Sequence, residues 1–472
     1  MRLIIKNGTV INTFFGQFDE SSPELGANGA DGGRSSADEY RNNADEGRNG
    51  ADEGRKLDIL IEDGHIVEIG EKIDVKSHGS FVDVIDAAGL TVLPGLIDAH
   101  CHLRDPGLEY KEDIETGTAS AALGGFTAVA CMPNTQPAAD NAQIIKYIID
   151  KAKSVGHVNV YPIGSITKGM LGLELSEIGD MKFAGAVAIS DDGRPVASSS
   201  MMKKALLYSR VFDIPVISHC EDEDLADNGD MNEGYVSLEL GLRGIPSAAE
   251  SVQVARDVLI AEYTGVPIHI AHVSTKSSVE IIRAAKMRNV KVTCETCPHY
   301  FTLTDAACLE YDTNAKVSPP LALASDVEAV KEGLADGTID MIVTDHAPHH
   351  ADEKNLEFSR AARGMAGFET AFGLAYTHLV LTGVLTLAQL AQKMSLAPAR
   401  LLKLNVGGAG SLSVGKPANI TIVDLNQEYV VDPKKFASKG KNSPFGGFVL
   451  KGAAAYTIVN GNAVVRQNIL LG

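Results

Sequence analysis

The stretch 93-LPGLIDAHCHLRDPG-107 decides how this chain folds. An apolar run ends in Asp98, His100, His102 and Arg104, and a Pro-Gly pair follows. Side chains two apart on a strand share a face, so His100 and His102 project together from the end of one buried strand. A lone His-x-His pair is weak, because surface histidines often fall that way by chance. Here other apolar runs downstream finish in the same residue types, at Asp192, His219, His272 and Asp345. Metal binding is the expectation.

Seven further short apolar runs lie beyond it: TAVACMP from Thr127, VNVYPIG from Val158, GAVAIS from Gly185, IPVISH from Ile214, VPIHIAH from Val266, VKVTCE from Val290 and MIVTDH from Met341. Amphipathic stretches with helical spacing separate them, among them those opening at Asn141, Ser200 and Ser277. Eight strands alternating with helices predict an α/β fold, a parallel (β/α)8 TIM-type barrel over about 93–405. Such barrels carry their active sites at the C-terminal strand ends, where these ligand types fall.

Outside that span the texture is that of hairpins. Arg2 to Asn12 reads as a strand with an Asn7-Gly8 turn inside it, 57–70 turns at Asp63-Gly64, and the Gly-rich tail turns at Asn460-Gly461. Segments 1–92 and 406–472 are expected to pair into one small β-sandwich. Tetrads opening at Ala30, Ala37, Ala44 and Ala51 recur every seven residues, each followed by Arg. Ala is the lone apolar residue in the repeating slot and Gly and Asn surround it, so about 16–56 reads as a disordered insertion in a hairpin loop.

At 472 residues the chain suits a large barrel plus a smaller module. A net charge of −19 argues against a nucleic-acid or anionic-membrane partner. Asp19 to Arg55 holds ten acidic and four basic residues, leaving about −13 for the rest, so an anionic substrate needs specific Arg or His contacts. No apolar run is long enough to cross a bilayer and the N-terminus soon turns polar, which predicts a cytoplasmic protein. The six cysteines lack the spacing of a disulfide framework, in keeping with a reducing compartment. Cys294-x-x-Cys297 has no second pair to make a zinc ribbon and reads as buried and inert.

Four histidines and two carboxylates exceed the needs of one catalytic zinc, whereas two divalent ions about 3.5–4 Å apart use them all. Zinc is favoured, and manganese or cobalt tolerated. Close dications repel and need a bridging anion. Asp192 is the candidate and Asp191 the alternative. Asp345 suits a double role as ligand and proton acceptor. Arg104 offers a planar fork matched to a carboxylate, and Asn134 on its own can cap a turn in PNT. His269 has the parity of an outward residue and reads as a satisfied core histidine. His299 is expected to bond a loop, and of His346, His349 and His350 one need touch substrate.

The segments HCHLRDPG, MPNT, SDDG, HCED, HVST, TDHAPH and GFETAF resemble, in order and spacing, the amidohydrolase superfamily, and most closely the class I dihydroorotases. That resemblance implies reversible hydrolysis of the cyclic amide of dihydroorotate to N-carbamoyl-L-aspartate, a step of de novo pyrimidine biosynthesis. It carries over His100, His102, Asp192, His219 and His272 as metal ligands and Asp345 as ligand and general base. It maps Arg104, Asn134 and His349 onto contacts with the substrate carboxylate, beside the ligand His102, and Gly364 onto a backbone contact. Where the resemblance leads one to expect Asn before a Pro-Pro-Leu-Arg run, the chain has Ser318-Pro319-Pro320-Leu321-Ala322, so the shorter Ser318 would grip substrate through water. Hydantoinases and allantoinases share the chemistry but normally bridge their metals with a carboxylated Lys, where Asp192 stands here. A deaminase would show one metal and a general-acid Glu, and a non-catalytic subunit would have lost ligands. A homodimer and an association with aspartate carbamoyltransferase are both compatible with the sequence.

Overall fold

The structure, a computed structural model, describes residues 2–12, 54–74 and 82–471. The acidic insertion expected at about 16–56 lies outside the described residues, save for its last three positions, two of which already belong to a strand.

Strands β1 (Arg2–Val10), β2 (Arg55–Glu62), β3 (His65–Gly70), β4 (Asp83–Asp86) and β5 (Thr91–Pro94) open the chain. β2 and β3 form the expected hairpin, with Asp63 at φ 47° and Gly64 at φ 84° supplying the left-handed pair that a tight turn requires. Asn7-Gly8 is not a turn. β1 continues through it with a register shift between Ile5 and Gly8, because Val10 must still reach its partner Arg55. Asn7 takes φ 61° and is held by Asp58, which accepts from its amide at 2.9 Å, and by Asp86, which accepts from its side chain. The resulting bulge bends β1 so that its first half pairs with β4 and its second half with β5.

Parallel strands β6 (Leu96–Cys101), β7 (Phe126–Cys131), β8 (Asn159–Pro162), β9 (Ile189–Ser190) and β10 (Val216–Ser218) come next. After a short excursion containing β11 (Met231–Asn232) and β12 (Gly244–Ile245) they continue as β13 (Ile268–Ile270), β14 (Val292–Thr296) and β15 (Met341–Ile342). All eight apolar runs of the sequence became strands. β6, β7 and β8 form one parallel sheet, and β9, β10, β13, β14 and β15 another. Isolated parallel bridges link Gly164 to Ile189 and Cys101 to His346, so the strands follow one another in chain order and the last meets the first. Every residue of β6 and β7 is buried, the mark of strands covered on both faces.

A helix follows each strand of this series before the next begins. Side chains cap several of these helices: Asn141 Oδ1 accepts from the amides of Gln143 and Ile144 at 3.0 and 3.2 Å, and Asp113 Oδ1 from that of Thr116 at 2.8 Å. Beyond the last helices come β16 (Ile420–Val430), β17 (Val449–Val459), β18 (Asn462–Arg466) and β19 (Ile469–Leu470). β16 pairs antiparallel with β5, so among the described residues both ends of the chain share one nine-stranded sheet. Thr421 of β16 ties this sheet to the β6–β7 unit, its hydroxyl donating to Gly125 O at 2.6 Å and accepting from Leu96 N. Among the described residues no helix is long and apolar enough to cross a membrane.

Candidate metal centre

The C-terminal ends of β6, β9, β10, β13 and β15 bring six ligand-type side chains to one point. His100 Nε2 lies 3.3 Å and His102 Nε2 3.4 Å from the Asp192 carboxylate. His219 Nδ1 and His272 Nε2 approach Asp192 Oδ1 at 3.6 and 3.4 Å and face each other at 2.8 Å. Two ligand trios result, His100 with His102 and Asp192, and Asp192 with His219 and His272, the ligand atoms of each within 4.8 Å of one another. Asp192 belongs to both. Asp191, the alternative, points away and accepts from the amides of Ile166 and Thr167 at 2.7 and 3.0 Å.

Asp345 completes the set, its Oδ1 lying 3.0 Å from His102 Nε2 and 3.6 Å from His100 Nε2. Arg104, His272 and Asp345 take φ of 61°, 32° and 45°, a conformation uncommon for non-glycine residues and concentrated at functional sites. Asp345 is held there by the seam between β6 and β15: its amide donates to His100 O at 3.0 Å, and the Thr344 amide to Asp98 Oδ1 at 3.0 Å.

Whether these residues suit metal ions can be judged from their own bonding. His100 Nε2, Asp192 Oδ1 and His272 Nδ1 are buried with no hydrogen-bond partner, and buried polar atoms are otherwise almost always paired. The first two lie where the trios meet. Burial alone would raise the Asp345 pKa, but the His102 hydrogen bond and the fields of His100 and His102 outweigh it and hold the carboxyl at about 2. Burial likewise opposes ionisation of Asp192, and the surrounding imidazoles overcome it, keeping the carboxyl well below its ordinary range. Two ionised carboxylates buried among four imidazoles make a field that attracts cations, so the residues fit a pair of divalent ions.

Partners outside the trios orient the rings. His100 Nδ1–H donates to Glu295 Oε1 at 2.6 Å, leaving Nε2 bare toward the centre, and His102 Nδ1–H does the same to Asn134 Oδ1 at 2.8 Å. Glu295, which sequence reasoning missed, also accepts from His269 Nε2 at 3.0 Å. His269 is thus the satisfied core histidine expected, but it faces the same interior as His100. The parity count fails because β13 ends at Ile270 and His272 turns inward through its left-handed backbone. Glu221, also missed, lies 3.5 Å from His219 Nε2 and accepts from Ser318 Oγ at 3.1 Å. A charged residue inside an otherwise apolar strand was the one available signal for Glu295.

Of the residues expected to contact substrate, Asn134 touches the centre through His102, and Arg104, His349 and Gly364 lie against one another. Arg104 Nε donates to Pro348 O at 3.3 Å and its guanidinium lies 3.4 Å from His349 Nε2. Burial, then the charges of Arg104 and Lys111, push the His349 pKa down to about 3. Gly364, at φ 134°, packs so closely that a Cβ there would sit 2.7 Å from Ala347 O and 3.2 Å from His349 Nε2. Asn134 orients His102, and its amide NH2 adds a donor beside that ring. His299 departs from expectation: its Nε2 is buried without a partner, where a loop hydrogen bond was anticipated.

Fold and site together define a metal-dependent hydrolase of the amidohydrolase type. Residues 89–278 match the family described as dihydro-orotase-like. A dihydroorotase of Acetivibrio thermocellus is 67% identical over 415 residues, covering 88% of this chain and 96% of that protein. One of Ruminiclostridium cellulolyticum is 62% identical over 414 residues, 88% and 95% of the two chains. Among solved structures, the L-hydantoinase (dihydropyrimidinase) of Arthrobacter aurescens superposes with a TM-score of 0.83 at 25% identity, covering 100% of this chain and 97% of that one. The dihydropyrimidinase of Brevibacillus agri gives 0.81 at 21%, over 100% and 96%, a likeness of fold. The chain belongs to the dihydroorotase family.

Proposed function

We propose that this chain is a dihydroorotase, interconverting dihydroorotate and N-carbamoyl-L-aspartate, on a (β/α)8 barrel flanked by a β-sandwich that both chain segments build. The observation carrying the reading is the pair of ligand trios sharing Asp192, in a chain 67% identical to a dihydroorotase. His100, His102, Asp192, His219, His272 and Asp345 would hold two divalent ions, zinc being the expected species. When bound, the ions supply water activation and polarise the amide carbonyl. Asp345 takes the proton of the attacking water and returns it to the departing amide nitrogen, a role suited to a carboxylate kept ionised by His102. Arg104 meets the substrate carboxylate with its planar fork, and neutral His349 and the close backbone at Gly364 complete the cradle. Asn134 contributes its amide NH2 there while fixing His102.

The likeness of fold to hydantoinases makes those substrates the natural control. Hydrolysis should be fast with dihydroorotate and at least a hundredfold slower with hydantoin and allantoin. Equal or reversed preference would overturn the assignment.

A further inference from the structure

A third group of ligand atoms lies beside the two trios. Cys297 Sγ, one ring nitrogen of His299 and one carboxylate oxygen of Asp345 fall within 4.8 Å of one another, and all three residues are buried. Cys297 follows the last residue of β14, His299 sits on the turn 298–301, and Asp345 faces them from beyond β15. His299 is 2% exposed and its Nε2 has no hydrogen-bond partner. The neighbouring thiols differ. Cys101, Cys220, Cys294 and Cys308 turn to the carbonyls of Ala130, Ser218, Thr338 and Ala315 at 3.3, 3.7, 3.3 and 3.8 Å. Among the described residues, Cys297 is the one cysteine whose sulfur joins a ligand group.

We propose that Cys297, His299 and Asp345 form a further cation site, selective for thiophilic divalent ions such as zinc, cobalt or cadmium, whose filling stops turnover by engaging Asp345. One thiolate, one imidazole and one carboxylate suit borderline and soft ions and reject magnesium, calcium and manganese. Entry of the ion breaks the Cys297 S–H bond, the proton leaving to solvent as the metal–sulfur bond forms. A carboxylate oxygen bound to an additional dication is a poor proton acceptor, so excess zinc inhibits where catalytic zinc activates. The cation site stands on its own three residues. Its inhibitory effect rests on Asp345 acting as the base of the proposed dihydroorotase.

Cobalt titration of metal-free protein tests this, because cobalt–thiolate bonds absorb in the near ultraviolet whereas nitrogen–oxygen sites do not. Two equivalents should bind without the charge-transfer band, and a third should bring it in. Cys297→Ser should bind two equivalents and never show the band, and His299→Gln should weaken the third equivalent at least tenfold. The third equivalent should lower turnover tenfold or more relative to the two-ion form. That loss should be absent in Cys297→Ser when measured against its own two-ion rate, and manganese should reproduce neither effect. Saturation of the wild-type protein at two equivalents, or a third bound without the band, overturns the thiol site. A band that arrives with the first equivalent keeps the thiol site and overturns the two-ion reading, and a band without lost turnover overturns the inhibitory role.

Discussion

Asp192 faces all four ligand imidazoles, at 3.3 to 3.6 Å, and no other residue belongs to both trios. Asp192→Asn removes the shared charge while keeping the volume, so bound metal should fall from about two ions per chain to one or fewer, read by elemental analysis of the purified protein. Asp345→Asn keeps the seam with His100 and removes the proton acceptor. Steady-state hydrolysis should drop by roughly 10² to 10⁴, the range of a lost general base. Glu295→Gln leaves an acceptor for His100 but removes its charge, and metal affinity should weaken by about 10 to 100-fold in competition with a chelator. The six side chains that meet at the centre were legible in the sequence because each closes an apolar run. Glu295 and Glu221 were not, because what defines them is contact with His100, 195 positions earlier in the chain, and with Ser318, 97 positions later.

Among the elements, the helix Phe368–Ala375 supports the segment after β15 that carries Asp345, and His346 stacks on Phe368 at 4.0 Å between ring centroids. Its Glu369 is partly buried, accepting from Ser120 Oγ and Ala437 N at 2.7 Å each. Burial is the main influence on it and raises its pKa from 4.5 to about 7. The folded state therefore binds more protons than the unfolded one between those values. The stabilisation is complete below about pH 4.5 and is lost as pH rises through about 7, up to about 3 kcal/mol in all. Glu369→Gln should abolish this slope, and thermal melts at pH 6 and pH 8 should differ less in the variant than in the parent. The apolar runs fixed all eight parallel strands, since a buried strand needs only continuous apolar residues and a break. Asn7-Gly8 misled because the same dipeptide serves a hairpin and a bulge equally, and the choice lies in whether Val10 finds Arg55.

For the molecule as a whole, the two chain segments that flank the catalytic unit meet in one sheet, and that sheet contacts the β6–β7 unit through Thr421. Val10 and Arg55 are directly paired across β1 and β2. Deleting residues 26–54 should accordingly leave the hydrolysis rate within about twofold of the parent, as loop shortening adds little to the closure entropy. The pairing of β5 with β16 also orders events during synthesis. Residues 91–94 leave the ribosome more than three hundred codons before residue 420, and until then one edge of β5 has no neighbour. The nascent protein must shelter that open edge through most of its translation. A ribosome that stalls or a frame that shifts late in the message would thus release a chain that already contains all six side chains of the centre and leaves an adhesive border exposed.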